Sequence, residues 1–182
     1  ELFGNLPQPS ASGMLTTEGF GPWIIFGYDD SGHVKDDEKN DINADELLET
    51  RRAGLAESNK VRKERGIHEL AILGWAMPPR FNDTTKTLEW AIRIQSLDGT
   101  GGESVNYETR LLGRTGSMKV QLVCDPAEFQ SLLTEFQKVM GGFSYVEGQR
   151  YAEFREGDKV AKYGLTALIA GTGAFAAAKM GL

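Results

Sequence analysis

The sequence predicts an α+β domain, in which an antiparallel sheet of meander and hairpin strands is packed by two helices and followed by a C-terminal Ala/Gly-rich helix. Apolar residues alternate with period two in the segments between residues 70 and 123, and short turns separate these segments. Helical patterns precede and follow them, at about 44–65 and 126–140. Meander strands with flanking helices are typical of a layered α+β domain rather than of a parallel nucleotide-binding sheet.

The first helix is predicted with both of its ends. Asn43 provides an N-cap, Glu46 completes a capping box and Gly66 ends the helix. Acidic residues come first and basic residues last, as the helix dipole favours. A narrow apolar stripe consists of Leu47, Leu48, Leu55 and Val61.

Strands are expected at 23–28, 70–76, 88–94, 105–112 and 118–123. Pro78 and Pro79 should stop the second strand, and residues 113–116 should form the turn of a hairpin. In the third strand one face is shared by Leu88, Trp90, Ile92 and Ile94.

The second helix should begin at Asp125-Pro126, with Asp125 as N-cap and Pro126 as the first helical residue. It should end before Gly141-Gly142, and residues 143–145 should form a short returning strand.

Composition excludes several classes of protein. A length of 182 residues predicts one domain, and the 40% of hydrophobic residues can form a core. A single cysteine excludes an intramolecular disulfide, and two histidines disfavour a zinc site. The net charge of −6 argues against nucleic-acid binding. No glycine cluster has the Lys-Ser/Thr of a phosphate loop, and no cofactor is predicted.

An acidic segment precedes the first helix. Between Asp29 and Glu49 there are nine acidic and two basic residues. The offsets of an EF-hand fail, because Asp41 stands where glycine is needed and Leu47 where glutamate is needed. A looser site for a hard cation could use Asp36, Asp37, Glu38 and Asp41. The alternative is a solvated loop that leads into the helix N-terminus.

No catalytic constellation stands out. Cys124 with His33 or His68 would supply a nucleophile and a base, but Cys124 follows an apolar strand and is expected to be buried. The sequence contains no Gly-x-Ser-x-Gly elbow.

A set of polar residues could recognise a carboxylate, a phosphate or a sugar through Arg forks and Tyr hydroxyl groups. Equally, the set could form a structural hydrogen-bond network that joins the helix, the hairpin and segment 147–154. Its members are Asn59, Arg62, Asn106, Tyr107, Arg110, Arg114, Arg150 and Tyr151.

The composition changes again near Val160. Sixteen residues between Lys162 and Lys179 carry no charge and are rich in Ala and Gly. As a helix this run would be about 24 Å long, short of the roughly 30 Å hydrocarbon core. A buried helix and the approach to a membrane anchor both remain open. We predict one domain over 1–158 and the start of the anchor region over 159–182.

The order of several motifs resembles the DUF2167 family of predicted membrane-anchored bacterial proteins. The motifs include Gly32-His-Val-Lys-Asp-Asp37, Leu88-Glu-Trp-Ala91, Glu147-Gly-Gln-Arg-Tyr-Ala-Glu-Phe154 and Asp158-Lys-Val-Ala-Lys-Tyr-Gly-Leu165. The resemblance implies a signal peptide, further domain residues upstream and a hydrophobic anchor beyond Leu182.

These observations together predict a non-enzymatic interaction domain of the cell envelope. We expect it on the periplasmic side of the cell membrane, associated with the membrane through its C-terminal segment and able to bind a protein partner in the envelope. The alternative is a ligand-binding protein or enzyme that acts on a sugar- or phosphate-containing envelope substrate through the polar set.

Overall fold

A six-stranded antiparallel sheet organises the molecule. The computed structural model describes residues 11–18, 21–99 and 101–171. The strand order is β1-β2-β6-β5-β4-β3, so β1 and β3 form the two edges. The strands are β1 (Ala11–Thr16), β2 (Trp23–Asp29), β3 (Leu70–Asn82), β4 (Thr87–Ser96), β5 (Glu103–Leu112) and β6 (Ser117–Cys124), and the helices are α1 (Ala44–Glu64), α2 (Phe129–Met140) and α3 (Leu165–Ala170).

Helices cover the sheet on both sides. On one side, which we call the α1/α3 face, Leu88, Trp90 and Ile92 pack with Leu165 and Ile169. On the other side, the α2 face, a second core cluster joins the strands to α2 through Val105, Tyr107, Val120, Phe129 and Phe136. Successive strand residues point to opposite faces, so the alternation in the sequence supplies both cores. The predicted α+β class is confirmed.

The ends of α1 are close to those predicted. The side-chain oxygen of Asn43 accepts from the backbone N–H groups of Asp45 and Glu46, at 3.2 and 3.3 Å. Glu46 accepts from the side-chain amide of Asn43 at 2.8 Å, rather than from its backbone as in a capping box. Gly66, just beyond the C-cap Arg65, has φ +66°, a conformation that glycine adopts readily.

The prediction that Pro78-Pro79 stops the strand is wrong. β3 continues through both prolines to Asn82. It is an edge strand, and its register with β4 shifts between Met77 and Arg80, so the prolines need not donate to the ladder.

Two further boundaries differ from prediction. α2 begins at Phe129, after a turn in which Asp125 accepts from the backbone of Ala127 at 2.7 Å instead of capping the helix. Residues 143–145 form no strand, because the phenol of Tyr145 binds the sheet instead of its backbone. The strand β1 was not predicted, and all six of its residues are exposed.

The first part of the segment predicted to approach a membrane is packed in the core of the domain. Leu165, Leu168 and Ile169 of α3 are at most 4% exposed. Residues through Ala170 therefore pack with the domain, whereas the rest of the predicted anchor region, from 172 to 182, lies outside the described residues. Within the part of the chain that the structure describes, no helix is both long enough and apolar enough to cross a bilayer.

Candidate functional site

A groove of about 570 Å³ opens on the α2 face, between the ends of β4 and β5, the C-terminal end of α2 and the segment 143–152. Its floor is formed by Glu89, Tyr107 and Thr109, which register places on neighbouring positions of β4 and β5. Aromatic rings and Thr hydroxyl groups make up much of the remaining surface. We call this cavity the groove.

Two hydrogen bonds fix the polar floor of the groove. The phenol of Tyr107 donates to Glu89 Oε2 at 2.5 Å, and Arg80 Nε donates to Glu89 Oε1 at 2.6 Å. Burial and the adjacent Glu89 raise the pKa of Tyr107 far above its ordinary value, so the phenol is protonated at every physiological pH. Both Glu89 oxygens are therefore engaged by protein donors.

Tyr145 builds one wall. Its hydroxyl donates to the carbonyl of Leu111 at 2.7 Å and accepts from the backbone N–H of Met118 at 2.9 Å. The ring passes so close to Gly113 that a Cβ there would lie 2.8 Å from it. Phe143 meets Tyr145 edge to face with ring centres 5.1 Å apart, which completes an aromatic wall.

Tyr151 forms the neighbouring wall and is held from both sides. Its hydroxyl donates to the carbonyl of Val34 at 3.0 Å, and its ring stacks on His33 with centroids 4.4 Å apart. Lys86 Nζ lies 5.3 Å from the Tyr151 ring centre and binds Asp36 at 2.8 Å and Asp83 at 2.5 Å. The charge of Lys86 is thus compensated within the protein.

Arg150 stands at the rim. Its side chain is 61% exposed, and its Nη1 lies 3.9 Å from Glu153 Oε1. An exposed guanidinium with so long a contact can rotate to meet a ligand carboxylate or phosphate.

The groove contains three of the eight predicted polar residues, namely Tyr107, Arg150 and Tyr151. Asn59 and Arg62 lie elsewhere, where α1 meets the start of β3. Asn59 exchanges two hydrogen bonds with the backbone of Leu70, and Arg62 Nε donates to the carbonyl of His68 at 2.6 Å. These two residues join α1 to the start of β3 and its preceding turn, not to the hairpin or segment 147–154 that the network alternative named.

Arg114 also serves the structure. Its Nε and Nη2 each donate to Asp158 at 2.7 Å, and its Nη1 donates to the carbonyl of Gly148 at 3.1 Å. The hairpin turn is thereby tied to two later segments of the chain. Asn106 and Arg110 lie on the α1/α3 face, opposite to Tyr107, so the structure does not bring the eight residues into one site.

Two of the four acidic residues proposed for a cation site have partners within the protein. Asp36 binds Lys86, and Glu38 accepts from the backbone N–H of Thr166 at 2.9 Å and from its hydroxyl at 2.5 Å. Glu38 thus acts as the cap of α3. Asp37 and Asp41 are exposed. No three His, Cys, Asp or Glu side chains of the described ranges converge as a metal site.

Cys124 is buried against α2. Burial raises the pKa of its thiol to about 11, so it is protonated at neutral pH. The hypothesis that a histidine serves as the base for Cys124 has no support among the described contacts. His33 stacks with Tyr151 and Phe154, and His68 binds Asp98.

Sequence reasoning missed Glu89, Lys86 and Tyr145. A signal existed for Glu89, because the alternation that points Leu88 and Trp90 to one core places Glu89 on the other face, beside Ala91 and its partner Tyr107. Nothing in the local pattern marks Tyr145, whose partners Leu111 and Met118 are distant in sequence, and Lys86 has one near partner, Asp83, and one distant partner, Asp36.

The family model of DUF2167, described as a protein of unknown function, matches residues 1–182. Comparison with the curated proteins gives no match. Because the match spans the whole sequence, the chain belongs to the DUF2167 family.

Proposed function

We propose that the chain is a non-enzymatic interaction domain of the cell envelope, associated with the membrane through its C-terminal segment, and that the groove is its binding surface. The observation that carries the binding role is the groove itself, a concave surface with aromatic walls and a few fixed polar groups. The membrane location rests on the family resemblance and on the uncharged Ala/Gly-rich composition beyond residue 162.

The charges of the groove favour an acidic group in the partner. Glu89 is satisfied by Tyr107 and Arg80, and Lys86 is satisfied by Asp36 and Asp83. Arg150 remains as the exposed cation among the described lining residues. A short segment of a protein partner that inserts an apolar side chain and sets a carboxylate against Arg150 fits this arrangement.

Cross-linking in membranes tests the proposal. A photoreactive group at Gln137, which lines the groove, should give a discrete cross-linked product with a partner protein when the full chain is expressed in its own cells. Arg150→Gln should reduce the yield at least about fivefold, the effect of losing roughly 1 kcal/mol of a charged contact.

The matched control is Lys138→Gln, which also removes one positive charge, at the residue next to Gln137. Lys138 is 67% exposed, pairs with Glu135 and does not line the groove. Equal losses from both variants would point to a general charge effect and contradict the proposal. Repeated absence of any product would also contradict it.

The second candidate is a small sugar- or phosphate-bearing ligand of the envelope in the same groove. Its volume lies in the range of small-molecule sites, about 300–1,000 Å³. A ligand at one hundred times its dissociation constant would stabilise the fold by about 2.7 kcal/mol, which a thermal-shift panel would detect. Loss of that shift in Arg150→Gln would place the ligand in the groove, and flat melting curves would reject this candidate.

A further inference from the structure

A stripe of polar side chains crosses the α1/α3 face, where two helices cover the sheet. We call it the polar stripe; it consists of Asn106, Glu108 and Arg110 on β5 with Ser117, Lys119 and Gln121 on β6. Register pairs Glu108 with Gln121 and Arg110 with Lys119. Neither apolar core cluster includes these residues. Where such a surface is buried, its polar groups require polar partners.

The positive charges around the polar stripe exceed the negative ones. Glu108, only 7% exposed, binds Arg110 at 2.8 Å and Lys119 at 3.4 Å. Asp29 on β2 also faces Arg110, but it accepts from Tyr163 at 2.6 Å and from the backbone of Ser31 at 3.0 Å.

Arg51 reaches the same region from α1. Its Nη1 donates to the carbonyl of Ile169 at 2.7 Å, and its charge interacts with Glu108 and Arg110. Burial lowers the pKa of Arg51, which reflects the cost of holding this cation out of water. Three cations thus face two carboxylates.

Four buried polar atoms belong to this region and have no hydrogen-bond partner among the described residues. They are Arg51 Nε, Asn106 Oδ1, Ser117 Oγ and Gln121 Oε1. Ser117 is only 1% exposed. Three of them lie together. Asn106 and Gln121 are diagonal neighbours beside Glu108, and Arg51 interacts with Glu108, whereas Ser117 lies four residues from Gln121 along β6, about 13 Å away. These three supply a cationic donor and two acceptors. Buried polar groups without partners are costly, so the concentration of these three points to a further polar partner.

We propose that the polar stripe and Arg51 bind a small molecule that carries an oxyanion and at least one hydroxyl or amine hydrogen. The oxyanion would neutralise the excess positive charge and accept from Arg51 Nε. The hydroxyl or amine hydrogen would donate to the amide oxygen of Asn106 or Gln121. Lys119, whose side chain is 25% exposed, marks the side from which such a molecule enters.

This site is separate from the groove, because the sheet lies between them. Thermal shift and calorimetry on the full chain test it with four probes: inorganic phosphate, glycerol 3-phosphate, glycerol and sodium chloride. Glycerol 3-phosphate, which carries both groups, should raise the melting temperature by about 5 °C at one hundred times its Kd. Phosphate should need at least tenfold higher concentration, and glycerol and chloride should have no effect.

Two conservative variants assign the effect. Asn106→Leu and Gln121→Met remove orphan polar atoms without changing a charge, and each should weaken glycerol 3-phosphate binding at least tenfold. Arg150→Gln in the groove should leave it unchanged. Loss in Arg150→Gln alone would place the phosphate in the groove and overturn this proposal. No shift with any probe, together with unchanged or increased stability of both variants, would show that ordered water alone satisfies these atoms, and would also overturn it.

The same phosphate chemistry could come from a lipid headgroup. Flotation with phosphatidylglycerol vesicles, against phosphatidylcholine vesicles, distinguishes that source from a free metabolite. Vesicle binding that Gln121→Met abolishes would identify the headgroup as the ligand of the polar stripe. Vesicle binding that Gln121→Met leaves intact, with the free probe still dependent on Gln121, would identify the free metabolite.

Discussion

At the scale of single residues, the ion pair between Arg114 and Asp158 should make stability depend on acid pH. Two hydrogen bonds from the Arg114 guanidinium, and a further one from the backbone N–H of Arg155, hold the pKa of Asp158 at about 2, below its ordinary 3.8. A depressed pKa means that the pair stabilises the fold fully above pH 3.8 and that this contribution is lost as pH falls towards 2. An NMR titration should give a midpoint near 2 for Asp158. In Arg114→Ala the midpoint should rise part of the way towards 3.8, because the hydrogen bond from the Arg155 backbone remains.

The same variant should also lower the melting temperature at pH 7, since it removes the contacts of the hairpin turn with Asp158 and Gly148. Lys138→Ala, which breaks an exposed pair on α2, serves as the control and should cost less than about 1 kcal/mol. A melting temperature of Arg114→Ala equal to that of the control would contradict a structural role and revive the ligand-binding interpretation of Arg114.

Gly113→Ala should disturb the groove without touching its polar groups. The added methyl group would lie 2.8 Å from the Tyr145 ring, and the backbone around Gly113 bridges to Arg150. Overpacking of this kind costs about 1–3 kcal/mol. Urea unfolding should show that loss, and the fluorescence or NMR signals of Tyr145 should shift. Unchanged signals would mean that Tyr145 does not form the wall described above.

The sequence could indicate which residue types matter at the site but not which of them meet. Tyr107 was predicted as a member of one polar set with Arg110, yet the three-residue spacing along a strand puts the two on opposite faces. Arg114 finds Asp158 forty-four residues away, a distance over which local patterns carry no information. One of the two alternatives for the polar set joined segment 147–154 to the hairpin, and in the structure the backbones of Gln149 and Arg150 contact Arg114 and Gly113 of the hairpin turn.

At the scale of the elements, α3 should depend on a carboxylate from the acidic segment. Gly164, at the N-cap position, has no side chain to offer, and Glu38 binds the Thr166 backbone and hydroxyl in its place. Loss of a capping interaction costs about 1 kcal/mol. Glu38→Ala should therefore lower the urea midpoint without changing the slope of the transition.

Asp41→Ala is the control, because Asp41 is exposed in the same acidic segment; its effect should stay within about 0.5 kcal/mol. Two outcomes would contradict the capping role of Glu38. One is an equal loss of stability in the two variants, and the other is an equal stabilisation of Glu38→Ala and the parent chain by calcium. In either case the acidic segment would have to be reinterpreted as a cation site.

Elements that bury an alternating face were predicted well, and elements without one were not. β4, β5 and β6 carry the core on one or both faces, and their predicted bounds differ by at most two residues from those observed. β1 has no buried residue and hence no pattern to recognise. In β3 the two prolines predicted a stop. The strand continues because it lies at the edge of the sheet, where a proline need not donate a backbone hydrogen bond to a neighbouring strand.

At the scale of the whole molecule, the composition of the C-terminal segment left two interpretations open, a buried helix and the approach to a membrane anchor. Its beginning is a structural helix, since Leu165, Leu168 and Ile169 are buried in the core beside α1. Lys159, the first residue of the predicted anchor region, donates to the carbonyl of Asp30 at 2.9 Å. Any membrane association of the kind we propose must therefore use residues beyond Ala170.

The proposed location outside the cytoplasm can be tested with the cysteine chemistry of this chain. Cys124 is 5% exposed and its pKa is about 11, so a maleimide should not label the native protein. Lys138→Cys places a thiol on the outer surface of α2, where the lysine is 67% exposed. In intact spheroplasts that express the full-length gene, a membrane-impermeant maleimide should label Lys138→Cys and leave the parent chain unlabelled. The protein should also stay with the membrane fraction after carbonate extraction. Labelling that appears only after lysis would place the domain in the cytoplasm, and the envelope interaction proposal would fail with it.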